Sequence, residues 1–267
     1  MRVPLTTEPT QTIEFLVAQE MGFTKKHNID FEFVGYVPAP QLVAAVVGGR
    51  LDTNQPTHVN RTIAGIAAGA KIKAVVASSE TSQRIPHMVG IVTKQSAIKS
   101  AADLVGKRIG ITTIGGCHEY TPYAYLTKFG IENPKSKISI HVIPISAIEQ
   151  ALRQGDIDLA MMHKVPADII RDGEFNIVFS DYDVWETIGG ATPYFFTHQF
   201  IKDNPVVVRN FVATMSEAEN WANQNADAAR EITARRTKYD VNKLNERQYA
   251  PDGIIKPETV QVWIDLL

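Results

Sequence analysis

The sequence predicts an α/β protein of two similar lobes, and three observations predict it. Short apolar runs alternate with helical stretches along most of the chain, the pattern of a parallel-type α/β sheet. A unit of helix, glycine and Leu/Ile-Asp occurs twice, at residues 41–52 and 148–158, which fits two like lobes. From Pro205 onward the pattern is almost wholly helical, as for helices that wrap back over an earlier sheet.

The elements follow in order. Residues 1–5 are strand-like, and Ile13, Leu16, Val17 and Met21 then share one helical face. Residues 29–34 alternate apolar and polar with period two, as a half-buried strand does. Further strands are expected at 71–78, 88–93, 107–112, 138–143 and 157–162. Helices are expected between them at 39–47, 59–68, 119–129 and 146–154. In each repeated unit a glycine, at 48–49 and at Gly155, ends the helix as its left-handed cap. The tail reads as helices over 205–223, 226–239, 241–248 and 256–267. Pro205 suits the first turn, with Asn204 as cap. Trp221 and Trp263 lie at helical spacing and are assigned to core.

Composition narrows the function. The chain has 267 residues, 44% hydrophobic, which supports a large core and excludes bulk disorder. Lys plus Arg number 27 against 29 Asp plus Glu, a net charge of −2. That balance argues against a general nucleic-acid binder, which needs a basic surface to neutralise phosphates. The single cysteine, Cys117, excludes an intrachain disulfide and a multi-cysteine zinc site. The most apolar stretch, 63–77, is interrupted by Gly65, Gly69, Lys71 and Lys73 and is too short to span a membrane. No signal peptide is visible, yet the chain opens inside a strand and closes inside a helix. Both ends therefore look cut, and a trimmed export signal is expected.

Five stretches carry a resemblance. They are the two repeated units, residues 67–75, residues 98–110 (Ile98-Lys99-Ser100-Ala101-Ala102-Asp103-Leu104-Val105-Gly106-Lys107-Arg108-Ile109-Gly110) and residues 204–211. Together the chain resembles the substrate-binding proteins of ABC transporters with the type II periplasmic-binding fold. The similar branch contains sulfonate, taurine, nitrate and thiamine-pyrimidine-precursor binders. The resemblance implies two lobes, 1–86 plus 186–267 and 87–185, that close by a hinge on a ligand. It also implies a helical tail packed on the first lobe. The 98–110 stretch builds the second lobe, with Ser100 capping a short helix before the strand that Lys107 opens.

Ligands of such sheets sit beyond the carboxyl ends of strands, against helix N-termini. That rule selects the candidates. Thr7 and Glu8 follow the first strand, where Thr10 is open to a capping role instead. Thr57 and His58 end the polar run 53–58, and Ser79 follows the strand at 71–78. The strongest candidate is the turn Gly115-Gly116-Cys117-His118-Glu119, since two glycines let backbone N–H groups approach a ligand and the helix dipole favours an anion. It lacks the Lys-Ser/Thr ending of a phosphate loop, so a nucleotide is not expected. Glu119 is awkward for an anion and suits a ligand with amine or amide donors. His163 ends the strand at 157–162 beside Lys164, whose alternative role is that of a solvated helix-start residue. Tyr36, Tyr120, Trp185 and Tyr194 are candidates for an aromatic wall, with core packing as the alternative for each.

No catalytic residue, metal or cofactor is expected. Cys117 and His118 adjoin, and neighbours on a helix do not face each other, so they make a poor dyad. A metal set from His118, Glu119 and a cross-cleft histidine is geometrically open but has no support in spacing, and stays a minority alternative. The thiamine-pathway pyrimidine synthase that shares the family's fold carries a cysteine-rich run where this chain has Ile188-Gly189-Gly190-Ala191-Thr192-Pro193. The expectation is therefore a non-enzymatic, extracytoplasmic, monomeric receptor that delivers a small polar or anionic molecule to a membrane permease. A synthase-like enzyme and the sensing domain of a regulator are the alternatives.

Overall fold

The computed structural model describes residues 1–5, 9–163 and 166–267, apart from the side chains of residues 166, 167 and 170. It is an α/β protein that divides into two units. The first comprises Met1–Glu80 and Ala191–Ile264, the second Thr81–Gly190 and Asp265–Leu267. Among the described residues, no helix is long and apolar enough to cross a membrane.

The first unit holds two small sheets. Strand β1 (Arg2–Leu5) pairs in parallel with β2 (Glu32–Tyr36), and β3 (Ile72–Ala77) pairs antiparallel with β9 (Pro193–Thr197). Helices α1 (Ile13–Glu20), α2 (Phe23–Lys26), α3 (Leu42–Val47) and α4 (Val59–Ala67) accompany them. Helices α9 (His198–Asp203), α10 (Pro205–Gln224), α11 (Ala226–Thr237) and α12 (Pro257–Leu266) form the tail. Phe15, Tyr194, Phe196 and Phe211 are fully buried between α1, β9 and α10 and meet edge to face. The tail thus packs on this unit. The helix expected over 241–248 is only a short turn at Val241–Lys243. There the Asp240 carboxylate accepts the Asn242 N–H at 3.0 Å, a local bond that competes with helix formation.

The second unit is built on one five-stranded sheet in the order β6-β5-β7-β4-β8. Its strands are β4 (Val89–Thr93), β5 (Arg108–Ile111), β6 (Ser139–Val142), β7 (Leu159–Met162) and β8 (Phe175–Ser180). Helices α5 (Cys117–Lys128), α6 (Ile145–Gln154), α7 (Pro166–Asp172) and α8 (Asp181–Trp185) follow them. The expected parallel pairing holds for β5 with β6 and β7. It fails for β4, which runs antiparallel to both β7 and β8. The start of β4 therefore lies beside the end of β7.

The repeated unit of the sequence has a physical counterpart. Asp52 receives the Arg2 backbone N–H at 2.7 Å and its guanidinium, while a second guanidinium nitrogen reaches the Gly49 carbonyl at 2.6 Å. Asp158 receives the Arg108 N–H at 2.8 Å and its guanidinium, while Arg108 also reaches the Gly155 carbonyl at 2.7 Å. The separations are the same in both lobes, 50 residues from Arg to Asp and 47 from Arg to Gly. Gly49 and Gly155 have φ of 72° and 75°, left-handed values that a glycine adopts without strain. Each clamp fixes the turn after a helix to the strand it must join.

The Arg108 hydrogen bonds hold the Asp158 carboxyl below its ordinary pKa, against partial desolvation. A carboxylate lowered in the folded state adds stability above its unfolded pKa and loses it as pH falls through the folded value. Asp158→Ala is therefore expected to destabilise the protein by about 1–2 kcal/mol at pH 7. The deficit should shrink below about pH 4, where the unfolded carboxylate protonates. Urea unfolding of both proteins at pH 7 and pH 3.5 checks this; an equal deficit at both pH values contradicts it.

Candidate functional site

The site begins where β5 ends. Gly115 turns the chain with φ of 70°, and Gly116 caps α5 in extended conformation. Only Gly115 needs a glycine's conformational freedom. The α5 start is shaped by two further residues. Pro122 lacks the N–H that would reach the His118 carbonyl, and the Thr121 hydroxyl donates to the Cys117 carbonyl at 2.7 Å. Glu119 folds back so that its carboxylate accepts the Gly115 N–H at 2.7 Å. The helix-start position that would suit an anion is thus already occupied by a carboxylate.

Three histidines meet the cysteine of this turn. Cys117, 5% exposed, places Sγ 3.6 Å from Nε2 of His87 and 3.6 Å from Nε2 of His163. His163 lies edge-on to His118 with ring centroids 4.5 Å apart, and 4.7 Å from the His87 ring. One ligand atom each of Cys117, His118 and His163 lies within 4.8 Å of the others. The His118 ring is oriented by Thr112, whose hydroxyl is 3.3 Å from Nδ1. His87 just precedes β4 and His163 just follows β7, so the antiparallel pairing of Val89 with Met162 brings them to one end of the sheet. Of these, Cys117, His118 and His163 are placed so that they could hold a metal.

The segment carrying His87 is anchored from below. The buried Asp181 carboxylate accepts the Thr81 hydroxyl and the Met88 N–H, the latter at 3.0 Å. Burial pushes the Asp181 carboxyl up to about 7, against the pull of those donors. The His87 N–H points to the Thr81 hydroxyl at 3.4 Å.

The sequence candidates divide accordingly. The second unit brings together Gly115, Gly116, Cys117, His118, Glu119 and His163. Trp185, half-buried, packs near Gly189 at the end of α8. In the first unit, Thr57 and His58 are buried, and the His58 ring meets Trp263 edge-on at 4.2 Å. Ser79 is buried and shares a 2.7 Å hydrogen bond with Thr192. Tyr36 is 49% exposed at the end of β2. Tyr194 is not a wall residue: it is fully buried, and its hydroxyl donates to Glu14 at 2.9 Å. Much of the polar run 53–58 is structural, with Thr53 and Asn54 satisfying the backbone of β9 at Pro193 and Phe195. Thr7, Glu8 and Lys164 lie outside the described residues. His87 is the residue that sequence reasoning missed; only the direction of β4 reveals it.

Comparison with known proteins adds the following. A profile described as the NMT1-like family matches residues 6–236. A candidate binding protein of Brucella abortus is 25% identical over 259 residues, covering 93% of this chain and 75% of its own. The periplasmic aliphatic sulphonate binding protein SsuA from Escherichia coli superposes with a TM-score of 0.77 at 17% identity, over 99% of this chain and 89% of that one. A zinc-bound ligand-binding component of an ABC-type import system from Staphylococcus aureus gives 0.78 at 17% identity, over 100% and 90%. The same periplasmic-binding fold also carries a desulfurization enzyme, DszB, with a TM-score of 0.60 at 15% identity, over 100% and 89%.

Proposed function

The chain belongs to the NMT1-like family, and on that premise we propose that it is the extracytoplasmic receptor of an ABC importer. It captures a small polar organic molecule and passes it unchanged to a membrane permease. The α5 start is its ligand-facing feature, and one observation carries the ligand class. Glu119 holds its carboxylate on the Gly115 N–H at 2.7 Å, where a free anion would otherwise be attracted by the helix dipole. A ligand that brings its own amine or amide donor to that carboxylate fits better than a bare anion. Within the family's range this ranks taurine-like amino sulfonates and pyrimidines above nitrate and simple alkanesulfonates.

Glu119→Gln tests the ranking, because it removes the charge and keeps the shape. Affinity for an amine-bearing sulfonate is expected to fall about tenfold, the effect of roughly 1.4 kcal/mol. Affinity for an alkanesulfonate lacking the amine is expected to hold or rise. Titration calorimetry of both proteins with both ligands reads the result; equal loss for the two ligands contradicts it.

A second reading is favoured by the Cys117 geometry. A thiol 3.6 Å from two imidazole nitrogens resembles an activated nucleophile with its base. That reading requires a chemically altered ligand after incubation with wild type, and an unaltered one with Cys117→Ala.

A further inference from the structure

We propose that the second unit carries a binding site for a soft divalent transition metal, formed by Cys117, His118 and His163, with His87 against the Cys117 sulfur. The site stands on these side chains alone, whether or not an organic ligand binds nearby. The ligands come from the first turn of α5 and the exit from β7, and His87 lies on the approach to β4. Cys117 and His118 adjoin in the sequence, and nothing in the spacing gathers His163 or His87 to them. The sheet order does so, by setting β4 between β7 and β8 and running it antiparallel to both.

The sulfur–nitrogen distances match edges of a metal polyhedron. With zinc–sulfur of about 2.3 Å and zinc–nitrogen of about 2.1 Å, the sulfur–nitrogen edge of a tetrahedron is about 3.6 Å. Cys117 Sγ lies 3.6 Å from Nε2 of both His87 and His163, the length of two such edges. His118 closes the group, with its ligand atom within 4.8 Å of those of Cys117 and His163. Sulfur and imidazole nitrogen together select zinc, copper or a similar late metal over magnesium or calcium. A ligand histidine is usually oriented by a partner on its other nitrogen. Thr112 supplies that partner to Nδ1 of His118 at 3.3 Å, which assigns Nε2 as the ligand atom. The anchoring of the Thr81–Met88 segment by buried Asp181 does the same service for His87 at the backbone level.

Binding is balanced by one proton. The metal displaces the hydrogen of the Cys117 thiol, the thiolate becomes a ligand, the imidazoles of His118 and His163 bind neutral, and the proton leaves to solvent.

The full chain, stripped with a chelator and dialysed, is titrated with zinc chloride and separately with cobalt chloride. Wild type is expected to bind one equivalent of zinc, release about one proton, and show a thiolate-to-cobalt charge-transfer band. Cys117→Ser is expected to abolish the band, and both Cys117→Ser and His163→Ala to weaken zinc at least about tenfold, the lower end of what even outer-shell changes produce. Thr112→Val should weaken zinc while keeping the band. His141→Ala removes a histidine on β6 that is outside the group and should change nothing. Circular dichroism and unfolding in chelator show whether each variant is folded; wild-type zinc protection of Cys117 from iodoacetamide gives a readout that needs no variant. No charge-transfer band, no protection of Cys117, or zinc affinity unchanged in Cys117→Ser and His163→Ala would overturn the proposal.

Discussion

Glu14→Ala is expected to destabilise the protein by about 3–5 kcal/mol, the scale for removing one partner from a buried charged network. Glu14 is fully buried on α1. Its carboxylate accepts hydroxyls from Ser78 at 2.8 Å, Tyr194 at 2.9 Å and Tyr249 at 3.4 Å. Glu219, also fully buried, adds a second acid, and Arg247 sets its guanidinium over the Tyr249 ring at 5.8 Å. Burial first, then the charges of Glu14 and Glu219, push the Tyr194 hydroxyl well above its ordinary pKa, so it remains a donor. Alanine leaves these donors without their shared acceptor and opens a cavity at the centre of the aromatic cluster. Glu14→Gln keeps one acceptor oxygen and should lose markedly less. Denaturant unfolding of the three proteins reads the order; equal losses for alanine and glutamine would mean that packing, not hydrogen bonding, sets the effect.

Gly190→Ala is expected to cost about 1–3 kcal/mol, the range for overpacking a filled site, and to disturb the histidine cluster as well. A methyl group there would lie 2.2 Å from the Thr81 hydroxyl, 2.7 Å from the His87 Cβ and 3.0 Å from the Thr81 backbone nitrogen. None of these can swing away as the end of a long side chain could. The Thr81 hydroxyl is bonded to Asp181, and the His87 Cβ moves only with its backbone. The variant should therefore unfold earlier and shift the His87 ring resonances in an NMR spectrum, while those of His141 stay in place. A variant of wild-type stability would show that the Thr81–His87 segment yields freely.

The fold was legible where local pattern and pairing agree. Strands at 72–77 and 108–111 and helices at 59–67 and 205–224 fall within a residue or two of their expected bounds. The repeated glycine–aspartate unit announced two matching Arg–Asp clamps because its chemistry is short-range: a helix must end and its next strand must be tied down. Strand direction was not legible. Nothing local in residues 88–93 distinguishes a parallel from an antiparallel neighbour, since an apolar run buried on both faces reads alike in either. The site inherits that division. Gly115 to Glu119 stand out from their glycines and helix start, whereas His87 enters only through the direction of β4. Tyr194 failed as a ligand residue for a related reason: an aromatic ring with a polar tip suits a wet wall and a buried acid equally well, and Glu14 is 180 residues away in sequence.

Capture without turnover is the behaviour proposed for this chain. It is tested most directly by titration calorimetry of the full chain with taurine, an alkanesulfonate, nitrate and a pyrimidine, followed by mass spectrometry of the ligand recovered from the complex. The predicted result is saturable one-to-one binding, strongest for a ligand bearing an amine or amide donor, with that ligand recovered intact. Recovery of a chemically altered molecule, or no binding by any of the four, would contradict it.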